Sequence, residues 1–183
     1  MIILASKSPR RKELLSLITT EFEIIPAEGE ERADRSLPPQ QYVCELARHK
    51  AEEIAASHPG DIVIGADTVV VTDGEVLGKP KDEADAKRML GMLSGREHLV
   101  CTGVCIIGRD ENTCFCEDTA VRFFPLTNAE IDEYTASGEP FDKAGAYGIQ
   151  GLGALLVSGI TGDYYNVMGL PVGRLARELK KMY

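Results

Sequence analysis

IVIGADTVVV, residues 62 to 71, is the stretch of sequence that decides the fold. A continuous apolar run rich in β-branched residues is typical of a central strand that is buried on both faces of a sheet. An ionised carboxylate in such a strand is costly unless it is paired or coordinates a metal. The flanking run leaves little room for the alternative, a hydrogen bond to a neighbouring turn, so we expect Asp67 to be functional.

The elements on either side of this strand predict a mixed α/β fold. Strand and helix patterns alternate in the first part of the chain, and a long hairpin follows at about residues 97 to 124. The apolar run 152 to 160 is typical of another strand, and residues 172 to 179 of the last helix. We therefore predict a mixed, twisted sheet flanked by helices in a single domain, residues 1 to 183, with scope for two lobes around a central cleft.

The segment ASKSPRR, residues 5 to 11, has the composition of an anion-binding helix N-terminus. Ser8 has the chemistry of an N-cap, and Pro9 suits the first helical position. Basic residues are unfavourable at this end of an isolated helix, so a bound anion such as a phosphate would compensate them. The alternative is an ordinary basic surface loop, and spacing alone does not decide between the two. The basic residues are Lys7, Arg10, Arg11 and Lys12.

Two further loops contain glycine beside polar side chains. Asp73-Gly74 signals a hairpin turn, and after it GKPK, residues 78 to 81, gives a rigid exposed loop that carries Lys79. Residues 138 to 153 are rich in glycine, which lets backbone approach a ligand closely. Gln150 in this segment offers both an acceptor and donors for reading the edge of a base.

Composition restricts the classes of partner and compartment. A formal net charge of -9 and a pI of about 4.9 argue against general binding to nucleic acid or to an anionic membrane. The apolar stretches are no longer than strands, and the first residues do not form a signal-peptide pattern, so we expect a cytoplasmic protein. Five cysteines, an odd number, argue against a closed disulfide framework. Their spacings favour small core residues over a zinc site.

The candidate residues together suit metal-assisted attack of water on a phosphoanhydride. Cations and a divalent ion would neutralise the developing charge, while a carboxylate would orient or deprotonate the water. Mg²⁺ suits oxygen ligands of this kind. The residues by themselves therefore indicate a phosphate-handling enzyme. Its cations and carboxylates would come from Arg10, Arg11, Lys50, Lys79, Lys81, Asp67 and one of Glu30 and Glu31.

Four motifs occur in order: ASKSPRR at 5 to 11, GADTVV at 65 to 70, GKP at 78 to 80 and DKAGAYGIQG at 142 to 151. In this order and spacing they resemble the Maf family of nucleotide pyrophosphatases. The resemblance implies hydrolysis of a nucleoside triphosphate to the monophosphate and pyrophosphate, with a divalent cation, Mg²⁺, Mn²⁺ or Co²⁺. It also implies a cytoplasmic location and the architecture of the inosine triphosphate pyrophosphatases. The nucleotide would be the partner, rather than nucleic acid or membrane, with a homodimer left open.

The resemblance also implies roles for individual residues. Asp67 matches the family's proton acceptor and, with Glu31, a metal ligand, while Lys79 matches a charged catalytic position. Glu30-Glu31 stands where the family usually has Asp-Glu, so the ligand assignment stays open between these two residues. The branch acting on dTTP and UTP differs from the branch acting on 7-methyl-GTP at three positions, here Arg10, Thr68 and Gln150, which match the first branch. The residues that would bind substrate are Ser8, Arg10, Arg11, Lys50, Thr68 and Gln150.

Several alternatives stay open from the sequence. Lys50 lies on a polar helix face, where a solvated lysine is the usual explanation, and Arg11 could pair with an acidic neighbour such as Glu31. The physiological substrate could be a modified nucleotide such as 5-methyl-UTP or pseudo-UTP. In another class of function, the protein would be a nucleotide-binding regulator of cell division and septum formation that does not depend on turnover.

Overall fold

The computed structural model describes residues 1–29 and 33–182. Within these residues the chain forms seven strands, six helices and three short 3-10 segments. The strands are β1 (Ile2–Ala5), β2 (Phe22–Ile24), β3 (Ile62–Thr72), β4 (Glu75–Leu77), β5 (Glu97–Ile107), β6 (Asn112–Phe123) and β7 (Val157–Thr161). The helices are α1 (Pro9–Leu15), α2 (Pro39–Ala55), α3 (Glu83–Leu93), α4 (Asn128–Ala136), α5 (Tyr164–Met168) and α6 (Val172–Leu179). The 3-10 segments are Glu139–Asp142, Ala144–Ala146 and Gly151–Leu155.

The strand predicted from residues 62 to 71 lies inside a mixed sheet. Across the described ranges the strand order is β2-β1-β3-β5-β6-β7, and β4 pairs with β3. β1 runs parallel to both β2 and β3, whereas β4 is antiparallel to β3 and β7 is antiparallel to β6. The predicted fold class, a mixed sheet flanked by helices, is confirmed. β3 continues through Asp67 and Thr68 without a break.

The chain divides into two compact units. Unit 1 comprises Met1–Asp67, Thr102–Glu117 and Gly169–Tyr183, and unit 2 comprises Thr68–Cys101 and Asp118–Met168. In each unit, apolar faces of helices pack on strands. The core of unit 1 contains Ala47, Ala51 and Ile54 of α2 with Ile3, Val63 and Cys105 of the strands. The core of unit 2 contains Leu90 and Leu93 of α3, Ile131 and Tyr134 of α4, and Val121 and Phe123 of β6.

Local sequence signals mark several boundaries correctly. α1 begins at Pro9, and the hydroxyl of Ser8 accepts a hydrogen bond from the backbone N–H of Arg11, as expected of an N-cap. Asp73 and Gly74 form the turn between β3 and β4, with φ angles of 49° and 78°. Positive φ at both positions is the geometry of a type I′ turn, which explains why the Asp-Gly pair predicts a hairpin.

The strand predicted at 152 to 160 is wrong in its first half. Residues Gly151–Leu155 form a 3-10 segment, and β7 begins only at Val157. The side chains of Leu152 and Leu155 are exposed, so the apolar run does not mark a buried strand there. The backbone N–H groups at the start of the 3-10 segment bond instead to a carboxylate, that of Glu139.

Four of the five cysteines lie in unit 1, and two of these are bonded. Cys105 of β5 and Cys114 of β6 form a disulfide, with their Cα atoms 4.2 Å apart. The odd count argued against a closed disulfide framework, and the structure contains one disulfide with three free cysteines among the described residues. The thiol of Cys44 on α2 hydrogen-bonds with Cys116, and this contact raises the pKa of Cys44.

The described helices were candidates for a membrane span only if they were long and apolar enough. In the part of the chain that is described, none of them combines the length and the apolar character that a bilayer span requires.

A histidine lies inside the core of unit 2. His98 is only 4% exposed, and its Nε2 lies 2.6 Å from the hydroxyl oxygen of Tyr147. The rings of Phe123 and Tyr147 meet the imidazole edge to face, with centroid distances of 5.1 and 5.3 Å. Burial lowers the pKa of His98 to about 4, so the imidazole is neutral near pH 7.

We predict that this histidine makes the stability of the protein depend on pH. As the pH falls from 6.5 towards 4, the unfolded chain binds a proton at His98 that the folded protein does not bind. The free energy of unfolding should therefore decrease over this window, by about 3 kcal/mol in total from this residue. Urea unfolding at several pH values measures the decrease. His98→Gln, which keeps an amide beside Tyr147 but does not titrate, should reduce the slope.

His49→Gln is the matched control, because His49 is exposed on α2. It should keep the slope of the wild-type protein. An unchanged slope in His98→Gln would show that His98 is not the group responsible.

Candidate functional site

The loop between β1 and α1 is organised by its serines. The hydroxyl of Ser6, a buried residue, accepts a hydrogen bond from the backbone N–H of Ser8 at 3.2 Å. The hydroxyl of Ser8 in turn caps α1 by accepting the N–H of Arg11 at 3.4 Å. Pro9 occupies the first turn, where no backbone donor is needed. Arg10, partly buried, follows in the same turn.

Arg11 has a structural function that the sequence did not reveal. Its Nε donates to the carbonyl oxygen of Gly169 at 2.8 Å, and its Nη1 donates to the carbonyl oxygen of Ala66 at 2.9 Å. Nη1 also lies 3.4 Å from the hydroxyl of Ser6. The guanidinium therefore joins three segments of unit 1. Backbone carbonyl acceptors leave no signal in a sequence, which is why this contact could not be predicted.

Asp67 is paired with Lys50. The Lys50 Nζ and the Asp67 Oδ1 are 2.5 Å apart, and the two side chains are only 18% and 15% exposed. The explanation of Lys50 as a solvated lysine is therefore wrong. A carboxylate in a buried strand needs a partner, and the ammonium of Lys50 compensates the charge of Asp67. Its carboxylate makes no other hydrogen bond with a described residue, so the second oxygen can accept one from a bound water or ligand.

The pair depends on a close approach of α2 to β3. A Cβ atom on Gly65 would collide with the carbonyl oxygen of Ala47 and lie 2.9 Å from the backbone nitrogen of Ala51. Gly65 and Asp67 point to the same face of β3, because side chains alternate along a strand. Lys50 lies between the two contacting positions of α2. The missing side chain at Gly65 therefore lets the helix backbone come near enough for Lys50 to reach Asp67.

Parallel pairing of β1 with β3 brings the serine loop towards the same point. Ala5, the last residue of β1, is paired with Gly65. The chain beyond Ala5 and the chain beyond Gly65 therefore leave the paired region at the same edge, the carboxyl end of β1, past which β3 continues. This edge is where open α/β sheets bind ligands.

In unit 2, the lysine loop and the glycine-rich loop are joined to each other. The backbone N–H of Gly145 donates to the carbonyl oxygen of Gly78 at 3.0 Å. Gly145 has φ of 68° and packs so closely on Val70 of β3 that a Cβ atom would lie 2.7 Å from the valine side chain. Glycine is required here both for the backbone conformation and for the space. Lys79 is exposed and makes no ion pair or hydrogen bond with any residue the structure describes.

The predicted residues thus fall into two groups. Unit 1 contains Ser8, Arg10, Arg11, Lys50 and Asp67, and the structure joins Ser8 to Arg11 and Lys50 to Asp67. Unit 2 contains Thr68, Lys79 and Gln150. Thr68 is partly buried, whereas Gln150 is exposed. Glu30 and Glu31 lie outside the described residues, so the predicted metal ligand Glu31 and the suggested Arg11–Glu31 pair cannot be placed.

The described part of the candidate site offers one carboxylate to a divalent cation. Among the residues that are described, His, Cys, Asp and Glu do not form a group of three that could hold a metal. Asp67 supplies one partly buried carboxylate. Mg²⁺ is commonly bound through one or two carboxylates together with waters and substrate phosphates. Asp67 therefore fits as one ligand of a divalent cation whose coordination shell waters and a phosphate substrate would complete.

Comparisons with known proteins agree with the sequence motifs. Residues 1–182 match the family described as Maf-like protein. A dTTP/UTP pyrophosphatase from Bacillus mycoides (strain KBAB4) is 53% identical over 98% of this chain and 94% of its own length. The dTTP/UTP pyrophosphatase of Bacillus cereus (strain AH820) is 54% identical over the same shares.

Solved structures are similar in fold. The chain matches a HAM1 protein from Coxiella burnetii with a TM-score of 0.55 and 15% identity over 98% of each chain. It matches the Ham1 protein of Staphylococcus aureus with a TM-score of 0.51 and 19% identity, over 67% of this chain and 71% of the other. At these identities the likeness concerns the fold alone.

We predict that Gly65→Ala destabilises the protein and separates Lys50 from Asp67. The added methyl group would force α2 away from β3, with a loss of about 1–3 kcal/mol in the free energy of unfolding. Urea unfolding measures the loss. Gly91→Ala is the control, because Gly91 lies on the exposed side of α3 with open space around it. That change should stabilise the protein by up to about 1 kcal/mol, and equal stabilities for the two variants would refute the role given to Gly65.

Proposed function

This chain belongs to the Maf-like family, and on that basis we propose that it is a nucleoside triphosphate pyrophosphatase acting on dTTP and UTP. Water attacks the α-phosphorus, and the bond from this phosphorus to the oxygen that bridges the α and β phosphates breaks. The products are the nucleoside monophosphate and pyrophosphate. Residues 1 to 183 would act as one nucleotide pyrophosphatase domain.

The observation that carries this proposal is the Lys50–Asp67 pair beside the serine loop. It combines a partly buried carboxylate, a cation and a capped helix N-terminus within unit 1. Such a combination suits phosphoryl transfer, where catalysis consists mainly of positioning and charge stabilisation. The dTTP/UTP pyrophosphatases that align with nearly the whole of this chain support the substrate.

In unit 1, we assign Asp67 as the base that accepts a proton from the attacking water. Lys50 orients one oxygen of this carboxylate, which leaves the other to face the water. Ser8 and the N-terminus of α1 would hold phosphate oxygens, with Arg11 fixing the backbone at Ala66 next to Asp67. Arg10 is assigned to phosphate and to base selection.

In unit 2, we assign Lys79 to the triphosphate and Thr68 and Gln150 to the pyrimidine base. The exposed ammonium of Lys79 can stabilise the negative charge that develops on the leaving pyrophosphate. Gln150 carries an amide that matches the donor and acceptor of a uracil or thymine edge. A hydroxyl at Thr68 adds a further polar contact.

A divalent cation, Mg²⁺, Mn²⁺ or Co²⁺, would be held by Asp67 together with Glu31 or its neighbour Glu30. When bound, such an ion supplies charge neutralisation at the phosphates. None of the steps assigned above to Asp67, Lys50 and Lys79 is routed through this ion. We further propose a cytoplasmic location, where nucleoside triphosphates are available, and leave the homodimer as an arrangement to be measured in solution.

Asp67→Asn should lower kcat by about 100-fold or more, because an amide cannot accept the proton. The assay incubates the protein with UTP and Mg²⁺ and identifies the products by ion-exchange chromatography. UMP and pyrophosphate are expected. Asp61→Asn is the control, since Asp61 also forms an ion pair, with the N-terminal ammonium at 2.9 Å, but at the surface. Orthophosphate as the product, or full activity in Asp67→Asn, would exclude this mechanism.

A nucleotide panel tests the choice of substrate. The kcat/KM values for dTTP and UTP should exceed those for CTP, ATP and GTP, and Gln150→Ala should reduce the difference by about tenfold. The same panel with 5-methyl-UTP and pseudo-UTP decides whether modified pyrimidines are preferred. A preference for a purine triphosphate would contradict the assignment of Thr68 and Gln150.

A further inference from the structure

Gln150 lies in a closed turn formed by residues 148 to 153 of unit 2. Its own side chain is exposed and forms no hydrogen bond with any other residue in the described ranges. The ends of the turn touch, because a Cβ atom on Gly153 would collide with the carbonyl oxygen of Gly148. Gly151, the residue after Gln150, has φ of 64°, a conformation that favours glycine.

Two side chains hold both ends of this turn. The carboxylate of Glu139 accepts the backbone N–H of Leu152 at 3.0 Å and that of Gly153 at 3.2 Å. The hydroxyl oxygen of Tyr134 accepts the N–H of Gly148 at 3.2 Å and is hydrogen-bonded to Glu139. Burial raises the pKa of Tyr134 to about 12, so the hydroxyl keeps the proton that it donates. One connected set of hydrogen bonds therefore spans the turn from entry to exit.

The supports of the turn are themselves fixed in the core of unit 2. Tyr134 lies on α4 and is only 4% exposed. The ammonium of Lys143 donates to the main-chain oxygen of Glu139 at 2.7 Å, which holds the backbone that carries the carboxylate. Pro140, directly after Glu139, is buried. The position of Tyr134 is therefore set by packing in the core, and the backbone of Glu139 is held by a contact outside the turn.

We propose that Tyr134 and Glu139 are positioning residues that hold Gln150 for recognition of the pyrimidine base, an inference that rests on the proposed function. The amide of a glutamine matches uracil or thymine in one orientation, and cytosine when its oxygen and nitrogen exchange places. An exposed glutamine has three side-chain torsions, so selectivity requires that the backbone beneath it does not move. Tyr134 and Glu139 provide this without contacting the nucleotide.

The two residues satisfy three N–H groups that would otherwise need other partners. Glu139→Gln keeps the size of the side chain but turns an amide NH₂ towards one of the two backbone donors that the carboxylate accepts. Tyr134→Phe removes the acceptor of the Gly148 N–H and leaves the ring packed. Each variant loosens one end of the turn with little change in side-chain volume, so both variants are suitable for testing.

Kinetics and equilibrium binding test the inference together. Glu139→Gln should lower the ratio of kcat/KM for UTP over CTP by about tenfold, as Gln150→Ala does, while kcat with saturating UTP stays within about threefold of wild type. The double variant should show no further loss of the ratio, because Glu139 acts through Gln150. In the free protein, the backbone amides of residues 148 to 153 should exchange with solvent faster in Glu139→Gln and in Tyr134→Phe.

Glu130→Gln is the matched control for Glu139→Gln. Glu130 also accepts a backbone N–H, that of Thr127 at 2.7 Å, but it does so in the capping box of α4. Its variant should lose stability and keep the wild-type UTP-to-CTP ratio. Tyr134→Phe provides the same test if Glu139→Gln does not fold.

Separate outcomes distinguish the inference from the proposed function. An unchanged ratio in both Glu139→Gln and Tyr134→Phe, or a double variant whose loss is the product of the single losses, would overturn the inference alone. If the wild-type protein releases no pyrophosphate, the proposed function fails. Isothermal titration with UMP and CMP then decides the inference without turnover: reduced selectivity in the variants supports it, and retained selectivity overturns it.

Discussion

The close approach of α2 to β3 at Gly65 is the contact on which the candidate site of unit 1 depends. The backbone of the helix, at Ala47 and Ala51, occupies the space that any other side chain would take. The same helix also packs closely on a second glycine, Gly103 of β5. A Cβ atom there would lie 2.5 Å from the carbonyl oxygen of Val43. With the helix fixed at two strands, Lys50 reaches Asp67 and compensates a carboxylate that would be costly in a buried strand.

The same pair meets a structural requirement of the strand in a way that suits the proposed function. Asp67 needs a partner because it lies in an apolar strand, and a carboxylate held by a lysine is oriented for contact with a polar ligand. Arg11 adds to this by binding the carbonyl oxygen of Ala66, the residue directly before Asp67. The basic helix N-terminus is therefore not a solvated surface loop in its entirety. One of its arginines, Arg11, supports backbone carbonyl groups in addition to the substrate contact expected of it from the sequence.

In unit 2, the exposed polar side chains of the candidate site lie on loops. Its glycine-rich segment allows four close contacts of backbone with neighbours, at Gly145, Gly148, Gly151 and Gly153. The hydrogen bonds of Tyr134 and Glu139 then fix the segment, and the bond from Gly145 to Gly78 joins it to the lysine loop. A rigid backbone beneath an exposed side chain is what the recognition role proposed for Gln150 requires.

The sequence by itself determined the mixed sheet, the position of Asp67 inside an apolar strand, the cap at Ser8, the Asp73-Gly74 hairpin and, through its motifs, the family. These features follow from local patterns: apolar periodicity, turn chemistry and a charged residue within an apolar strand. Only the tertiary structure decided that Lys50 pairs with Asp67, that Arg11 binds carbonyl groups, that Cys105 bonds to Cys114 and that Glu139 holds residues 152 and 153 out of a strand. Each of these is a contact between residues distant in the chain or with a backbone group, and neither kind of partner is specified by neighbouring residues.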